Sequence, residues 1–309
     1  MTHASATFRP APEPAPGGPP APVRAVAVSA VNDEASLALN LARSPMIASG
    51  RVPLHVERGA PSAAAAYNRG MDATDAPVLL LVHQDVYFPE GWENRLAAAI
   101  AAVEAVDPDW GVIGAYGVDA ARAGWGRLWS SSIGGPMGRR AERPVPVESL
   151  DELLIVMRRE AGLRFDEDPP LWHLYGTDIV QAARAAGAGA WVADLPVVHN
   201  DSFHGRLGAD FAAGYHHVRR KWQHRLPLRT SVLQVDRWGL GLPLYRLRAA
   251  RSWHRRKAMA LDPSVNPRTY AARFGLEGPA APGDRAGTPH ADPRAAAPAA
   301  GAAARKDAP

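Results

Sequence analysis

The sequence contains no cysteine among its 309 residues. This absence excludes a disulfide scaffold, a zinc or iron–sulfur site with cysteine ligands, and a catalytic thiol. The sequence also lacks a run of about 18 apolar residues, the length that a membrane-spanning helix needs, and its N-terminus lacks the basic and apolar regions of a secretory signal. We therefore expect a cytoplasmic protein.

The two ends of the chain contain little that could form a core. Residues 1–23 include seven prolines and no apolar block, and residues 277–309 consist mostly of Ala, Pro, Gly, Arg and Asp. Neither segment buries enough apolar surface to offset the entropy of ordering. We expect disordered Pro/Ala-rich tails at 1–23 and 277–309, a folded domain at 24–228, and a basic C-terminal extension at 229–276.

Positive charge is concentrated near the C-terminus, although the net charge of the whole chain is only +4. Between His216 and Lys257 there are twelve Arg or Lys and a single acid, Asp236. Such a segment suits an anionic partner, either a lipid-linked acceptor or the surface of an anionic membrane to which the protein attaches peripherally. A solvated basic face is the structural alternative. Nucleic acid is not the expected partner, because no nucleic-acid-binding module accompanies the charge.

Strands and helices alternate through the middle of the chain. Apolar strands at 24–31, 53–57 and 77–82 are separated by helical segments, of which the Ala-rich one at 62–72 is the clearest. This alternation predicts an α/β fold with a mainly parallel sheet flanked by helices. Glycines interrupt the pattern at 119–143, where we expect a mobile loop, and the later segment 190–198 is predicted to be one strand.

Polar residues follow four of the predicted strands, at Asn32-Asp33, Glu57-Arg58, His83-Gln84-Asp85 and His199-Asn200. The carboxyl ends of parallel strands meet at one edge of a sheet, where ligands bind. Asp85 and His199 offer a carboxylate oxygen and an imidazole, a ligand pair suited to Mn²⁺ or Mg²⁺ carried with a phosphate-bearing substrate. No phosphate loop or Gly-x-Gly-x-x-Gly pattern follows the first strand, so a dinucleotide dehydrogenase or a P-loop nucleotidase has no support.

Three motifs in order resemble one known family. They are Ala66-Tyr-Asn-Arg-Gly70, Val78-Leu-Leu-Leu-Val-His-Gln-Asp-Val-Tyr-Phe-Pro89 with Gly91-Trp92 after it, and Trp172-His-Leu-Tyr-Gly-Thr-Asp-Ile-Val180. The series resembles the family 2-like glycosyltransferases, in particular the branch with His-Gln-Asp in place of Asp-x-Asp. The resemblance implies a GT-A fold, with a nucleotide-binding half joined to an acceptor-binding half. It also implies transfer of a sugar from a nucleotide-sugar donor to an acceptor hydroxyl, with inversion.

The resemblance further implies roles for individual residues. The residues expected to bind the donor are Ser29, Val31, Asn32, Glu57, Asn68, His83 and Asp85. Asp85 and His199 would hold the divalent cation, and Asp178 would be the general base that takes the proton of the acceptor hydroxyl. Trp172, which offers a flat face to a sugar ring, and His173 are candidates for contact with a sugar, lipid-linked or small-molecule acceptor.

Each of these assignments has an alternative. Asp178 could be favoured at a helix start by capping and the helix dipole alone, and His199 could be an ordinary half-buried histidine. A nucleotidyltransferase would use a similar sheet edge, but it usually carries a Gly-rich basic loop where this chain has Asn32-Asp33-Glu34. A further alternative is a non-catalytic protein that binds nucleic acid or another anionic ligand through the basic segment.

Overall fold

The computed structural model describes residues 21–203, 205 and 207–276. The tails predicted to be disordered, 1–23 and 277–309, lie outside these residues except for 21–23. Within the described residues no helix is both long and apolar enough to cross a bilayer.

The elements follow in chain order. The strands of the described residues are β1 (Ala25–Val31), β2 (Leu54–Arg58), β3 (Val78–Val82), β4 (Val86–Tyr87), β5 (Trp110–Gly114), β6 (Gly117–Val118), β7 (Gly124–Trp125), β8 (Leu128–Ser130), β9 (Gly135–Met137), β10 (Val145–Pro146), β11 (Ser149–Leu150), β12 (Leu154–Arg158), β13 (Gly189–Val192), β14 (Val197–His199), β15 (Leu228–Arg229) and β16 (Gln234–Val235). The α-helices are α1 (Glu34–Leu39), α2 (Pro45–Ala48), α3 (Ala63–Asp72), α4 (Trp92–Glu104), α5 (Tyr175–Ala185), α6 (Ala209–Lys221), α7 (Gly241–Arg251), α8 (Trp253–Met259) and α9 (Pro267–Arg273).

A seven-stranded sheet forms the centre of the described structure, in the order β10-β13-β5-β12-β3-β1-β2. β2 and β3 are both parallel to β1, and β13 is parallel to β5. β12 lies between the two parallel groups and is antiparallel to both β3 and β5, so these groups share one direction. β10 is antiparallel to β13 at the edge. The predicted α/β fold with a mainly parallel sheet flanked by helices is thereby confirmed.

Side chains of the central strands point alternately to the two faces of this sheet. Along β3, Val78, Leu80 and Val82 belong to one hydrophobic cluster, which α4 covers, whereas Leu79 and Leu81 belong to a second cluster with α3 and α5. All five residues of β3 are buried, as the continuous apolar run predicted. The core therefore lies on both faces, and the strand ends stay free for function.

Gly70 allows α3 to pack tightly on the sheet. A Cβ at this position would lie 2.2 Å from Cγ1 of Val28 in β1, a distance that no packed side chain tolerates. This gives a physical reason for the glycine in the motif that ends at position 70. It also fixes Asn68, two residues earlier on the same helix, relative to the sheet.

Two predictions about local structure were wrong. The segment 119–143, expected to be a mobile loop, contains β7, β8 and β9, and the middle strand pairs with β14. Trp129 of β8 is buried and stacks on Tyr270 with 5.6 Å between ring centroids, so aromatic packing orders a glycine-rich stretch. The predicted strand at 190–198 is in fact β13 and β14, which belong to different sheets.

Residues beyond 228 pack on the body of the molecule. β15 and β16 form a hairpin that spans the boundary expected at 228, and Arg229 pairs with Glu148 at 3.2 Å. Helix α9 contacts β14 through Tyr270 and Ala271, which are buried with Val198. Trp222 at the end of α6 is buried as well, in a cluster that also contains residues of α7.

Candidate functional site

Three side chains meet where β3 ends. His83 and Asp85 follow β3, and the chain then enters β4, which pairs with β14 so that Val86 faces His199. The backbone N–H of Asn200 donates to the carbonyl of Asp85 at 2.9 Å, which fixes the two segments side by side. One ligand atom from each of His83, Asp85 and His199 lies within 4.8 Å of the other two. We call these residues the strand-end group.

Charge is strongly coupled within the strand-end group. Burial disfavours the charged form of His199, but Asp85 at 3.2 Å and Asp201 at 3.9 Å outweigh it and raise the pKa of His199 to about 10. Burial would raise the pKa of Asp85, but the two imidazoles hold it well below its usual range. Burial lowers the pKa of His83. Near neutral pH the group thus contains an ionised Asp85, a charged His199 and a neutral His83.

The donor set of the strand-end group fits a divalent transition ion. Asp85 Oδ1 is buried, lies 3.2 Å from His199 Nε2 in an ion pair, and has no further hydrogen-bond partner among the described residues. Two imidazoles and one carboxylate suit Mn²⁺ better than Mg²⁺, which prefers oxygen ligands alone. Metal binding requires neutral imidazole, so an ion would displace the proton of His199.

The end of β1 is joined to this edge by Gln84. Its side-chain oxygen accepts the backbone N–H groups of Asn32 at 3.0 Å and Asp33 at 3.1 Å, and its amide donates to Asn32 Oδ1 at 2.7 Å. Asp33 in turn caps α1 by accepting from the N–H groups of Ala35 and Ser36. Gln84 is not among the site residues expected from the sequence, but its hydrogen bonds connect the residues that follow β3 to those at the end of β1.

The other expected donor-binding residues have different environments. Ser29 is fully buried on β1, and its Oγ has no hydrogen-bond partner among the described residues. Val31 ends β1 inside the core, while Glu57 on β2 contacts His55 Nε2 at 2.6 Å. Asn68 is buried, and its amide bonds both to the backbone of Phe165 and to the carboxylate of Glu167. Among the described residues, no hydrogen bond or ion pair joins Glu57 or Asn68 to the strand-end group.

A second set of side chains borders the strand-end group, and sequence reasoning missed its central residue, Glu152. His83 Nε2 lies 2.8 Å from the hydroxyl of Tyr175, which donates to the carbonyl of Glu152 at 3.2 Å. The carboxylate of Glu152 accepts the N–H of Gly176 at 3.4 Å and lies 3.9 Å from His173 Nδ1. Gly176 permits this approach, because a Cβ there would lie 2.6 Å from the carbonyl of Leu150.

Burial affects the pKa of both members of this histidine–glutamate pair. It raises the pKa of Glu152, and the neighbouring His173 opposes the shift only in part. Burial would lower the pKa of His173, but the carboxylate of Glu152 outweighs it, so the pKa of His173 is raised. Leu174, between His173 and Tyr175, has the left-handed φ of 66°. This uncommon backbone conformation lies directly between two side chains of the site.

Asp178 lies in a different environment from the strand-end group. It is buried in the first turn of α5, where its carboxylate accepts from Trp222 Nε1 at 2.7 Å and from Lys221 Nζ at 2.9 Å. Lys221 Nζ also bonds to Asp166 at 2.8 Å, and His217 lies 3.5 Å from that same carboxylate. We call Asp166, Asp178, His217 and Lys221 the lysine-bridged group. Side-chain capping of α5 by Asp178 is not observed, since its bonds go to other side chains.

The two acceptor candidates lie next to each other at the start of α5. Trp172 is 40% exposed, and its backbone N–H donates to Asp210 at 3.2 Å. His173 packs edge-on against Phe211 with 5.6 Å between ring centroids. Trp172 therefore offers an exposed aromatic face directly before His173, a half-buried residue that pairs with Glu152.

Comparison with known proteins gives one relative by sequence. No family model matches the chain. The protein named ATP synthase subunits region ORF 6 from Fuscovulum blasticum is 31% identical over 182 residues, which covers 55% of this chain and 69% of that protein. The chain belongs to the family of this ORF 6 protein. Membership in the ORF 6 family does not by itself define a reaction.

Solved structures similar to this ORF 6 family member include three glycosyltransferases. The mannosyltransferase PcManGT from Pyrobaculum calidifontis, in complex with GDP-Man and Mn²⁺, is 15% identical, with 86% of this chain and 79% of that chain covered and a TM-score of 0.40. GalNAc-T7 with UDP, GalNAc and Mn²⁺ is 12% identical over 65% of this chain and 48% of that chain, with a TM-score of 0.42. The catalytic domain of Drosophila β1,4-galactosyltransferase 7 with xylobiose is 11% identical over 58% and 71%, with a TM-score of 0.33.

Proposed function

We propose that this chain transfers a sugar from a nucleotide-sugar donor to an acceptor hydroxyl, with inversion at the transferred carbon. The observation that carries the proposal is the strand-end group, which unites residues of the His-Gln-Asp motif with His199 at the edge where β1 and β3 end. The motif series that resembles family 2-like glycosyltransferases supports the same reaction.

The donor would bind along this edge. Cleavage of the bond between sugar and phosphate leaves a nucleoside diphosphate whose growing negative charge needs compensation. A Mn²⁺ ion held by His83, Asp85 and His199 would supply that charge when bound. Asn32 is exposed and available for the nucleoside, and Ser29 would line the pocket beneath it with a buried hydroxyl that has no partner among the described residues. Val31 and Glu57 would complete its pocket, and Asn68 would act by holding the backbone of Phe165.

The acceptor hydroxyl must lose a proton, and two carboxylates are candidates for the base. Asp178 is the residue that the sequence resemblance implies, but Lys221 and Trp222 occupy its oxygens, so an acceptor would have to displace Lys221. Glu152 is favoured by its position beside His173 and Tyr175. Its raised pKa also suits a general base, whose efficiency is greatest near the working pH.

The acceptor itself would be a sugar, a lipid-linked sugar or a small molecule bound near Trp172 and His173. Trp172 offers an exposed aromatic face, and His173 lies 3.9 Å from the carboxylate of Glu152. Trp172 precedes His173 in the chain, so an acceptor stacked on its ring would bind next to the residue that pairs with Glu152. A Trp172→Ala variant should therefore raise KM for the acceptor more than KM for the donor.

A ligand screen tests the proposal. The unfolding temperature of the full chain is measured with each nucleoside diphosphate, with and without Mn²⁺, because a ligand at about 100 times its Kd stabilises a protein by about 2.7 kcal/mol. Asp85→Asn should abolish the stabilisation, and Asp75→Asn, at an exposed acid, should retain it. Nucleotide sugars that stabilise are then incubated with acceptors. The absence of any stabilising nucleoside diphosphate would contradict the proposal. Release of pyrophosphate from a nucleoside triphosphate incubated with a sugar phosphate would instead indicate a nucleotidyltransferase.

A further inference from the structure

Exposed apolar side chains are concentrated in one part of the described structure. Eight large hydrophobic residues are exposed in the described structure as a whole, and five of them lie between residues 238 and 259. They are Trp238, Leu240, Leu244, Leu247 and Met259, with Trp238 exposed to 77%. Single exposed apolar residues need no explanation, but a contiguous group usually marks an interaction surface.

Helix α7 has two apolar faces, of which only one is packed. At about 100° per residue, Leu240, Leu244 and Leu247 fall within about 60° of one another. We call these three residues the leucine stripe. The inner face carries Leu242 and Ala249, both buried, and Tyr245, which contacts Phe211 at 5.6 Å between ring centroids. The inner face holds α7 on the protein, so the leucine stripe is not needed for folding and faces outward.

Basic residues surround the leucine stripe, and acids are absent from it. From Arg237 to Met259 the sequence contains no Asp or Glu. The exposed basic residues in this segment are Arg237, Arg246, Arg248, Arg251, Arg255 and Lys257. Within the part of the chain that the structure describes, none of them forms an ion pair with a carboxylate. The surface is thus both apolar and strongly cationic.

Asp236, which precedes this segment in the sequence, is held by backbone groups. Its carboxylate accepts the backbone N–H groups of Trp238 at 2.8 Å, Leu240 at 3.1 Å and Gly241 at 2.6 Å. The carboxylate therefore fixes the turn that leads into α7 and presents Trp238, and its single negative charge is outnumbered by the exposed cations of the segment.

We infer that the leucine stripe and its flanking arginines dock on the surface of an anionic phospholipid bilayer. Helices that lie in a membrane interface combine a narrow apolar face with Lys or Arg beside it and often carry Trp, as this segment does. A protein partner would need acids opposite the arginines and an apolar groove for the leucines. Phospholipid supplies both, since anionic headgroups lie directly above an apolar layer. Trp222, which lies in the same basic part of the sequence, is buried and takes no part.

Vesicle sedimentation of the full chain tests this inference. The probes are vesicles of phosphatidylcholine and vesicles in which about a third of the lipid is phosphatidylglycerol. We expect binding to the anionic vesicles that weakens at high salt, because the Debye length falls from about 10 Å at 0.1 M to about 3 Å at 1 M. Neutral vesicles should bind weakly at any salt concentration.

Two double variants separate the apolar and the charged contributions. Leu244→Gln with Leu247→Gln should weaken binding at least about tenfold, because partial burial of two leucines contributes on the order of 1.4 kcal/mol or more. Arg248→Gln with Arg251→Gln should weaken it by about 30-fold at low salt and little at high salt, from about 1 kcal/mol for each arginine. The matched controls are Val106→Gln with Ile133→Gln and Arg143→Gln with Arg184→Gln, which change exposed residues of the same types elsewhere.

The alternative occupants of this surface give different results. If the full chain dimerises in solution and the leucine variant makes it monomeric, the surface is an interface between two copies and the membrane inference is wrong. Salt-sensitive binding to double-stranded DNA without binding to anionic vesicles would overturn it as well. So would vesicle binding that the leucine variant leaves unchanged while its unfolding temperature equals that of the unmodified protein.

Discussion

Two groups of acidic and histidine side chains in this molecule look alike in composition and differ in what neutralises them. The strand-end group has two histidines and one aspartate, and the lysine-bridged group has two aspartates and one histidine. In the second group Lys221 lies 2.8 Å from Asp166 and 2.9 Å from Asp178, so a protein cation already occupies the space between the carboxylates. In the first, the positive charge is a proton on His199, which a metal can displace. The strand-end group is therefore suited to bind an ion, and the lysine-bridged group is suited to hold α5 against α6.

The largest expected effect follows from removing the carboxylate of the strand-end group. Asp85→Ala should lower the rate of sugar transfer by about 10³-fold, since the leaving diphosphate loses its compensating charge. The fold should be preserved, because Asp85 lies after a strand and not in the core. Steady-state kinetics and thermal unfolding measure both quantities. Near-normal turnover with saturating donor would show that the strand-end group is not the donor site.

The next effect concerns Glu152, the base proposed beside the strand-end group. Glu152→Gln keeps the size of the side chain but removes the proton acceptor, so turnover should fall by about 100-fold while the Kd for the donor is little changed. In the unmodified enzyme, the raised pKa of Glu152 implies that turnover is lost on acidification at a pH above the usual range of a glutamate. His173 and Asp151 also interact with the Glu152 carboxylate and influence the pH at which turnover is lost. A pH profile that is unchanged in Glu152→Gln would contradict the assignment.

For Asp178 we expect the opposite pattern, with stability reduced and turnover retained, if the lysine-bridged group is structural. Asp178→Asn leaves Lys221 with one carboxylate fewer, and we expect the free energy of unfolding to fall by about 1–3 kcal/mol. Urea denaturation measures this change. Turnover per folded molecule should stay close to normal. A fall of about 100-fold with unchanged stability would instead identify Asp178 as the general base, as the sequence pattern indicates.

Substitution of Lys221 should have a smaller effect, but it tests directly whether this lysine keeps a metal ion out of the lysine-bridged group. Lys221→Gln removes the ammonium that separates the carboxylates of Asp166 and Asp178, so that group becomes open to an ion. Mn²⁺ should then stabilise the Asp85→Ala, Lys221→Gln double variant by up to about 1 kcal/mol at a concentration of a few times Kd, and the Asp85→Ala single variant should gain nothing. Equal behaviour of the two variants in Mn²⁺-dependent thermal unfolding would mean that Lys221 is not what excludes a metal.

A separate expected effect is a dependence of stability on pH in the metal-free protein. The pKa of His199 is raised from 6.5 to about 10, so its stabilising contribution is fully present below about 6.5 and is lost as the pH rises through about 10. Asp85→Asn removes the main attraction and should move this loss to lower pH. Denaturation curves across that range measure the shift. A loss at the same pH in both proteins would exclude the Asp85–His199 ion pair as its cause.

His199 ends β14 of a second sheet and reaches His83 and Asp85 because β14 pairs with β4. His83 and Asp85 themselves were predictable, because they follow an apolar strand of the central sheet. Glu152 was not, because its position depends on the direction of β12. In an all-parallel sheet the residues before β12 would lie at the far edge, but β12 is antiparallel and Leu154 pairs with Val82, so its start lies where β3 ends. Nothing in the apolar run 153–157 encodes that direction.

The environment of Asp178 was unpredictable for a related reason. Its partners, Lys221 and Trp222, are more than 40 residues away on another helix, and they meet it only through the packing of α6 on α5. The order of segment 119–143 likewise depends on a distant residue, since Trp129 needs Tyr270 to cover it. Local patterns indicated the fold and the strand ends, whereas contacts between distant helices and loops decided which carboxylates remain available.

Calorimetric titration of Mn²⁺ in the presence of a nucleoside diphosphate tests the central claim most directly. The unmodified chain, Asp85→Asn and Asp166→Asn are compared under identical conditions. We predict a single Mn²⁺ site in the unmodified chain that is retained in Asp166→Asn and lost in Asp85→Asn. Retention of the site in Asp85→Asn, or its loss in Asp166→Asn with the fold intact, would contradict the assignment of metal and donor to the strand-end group.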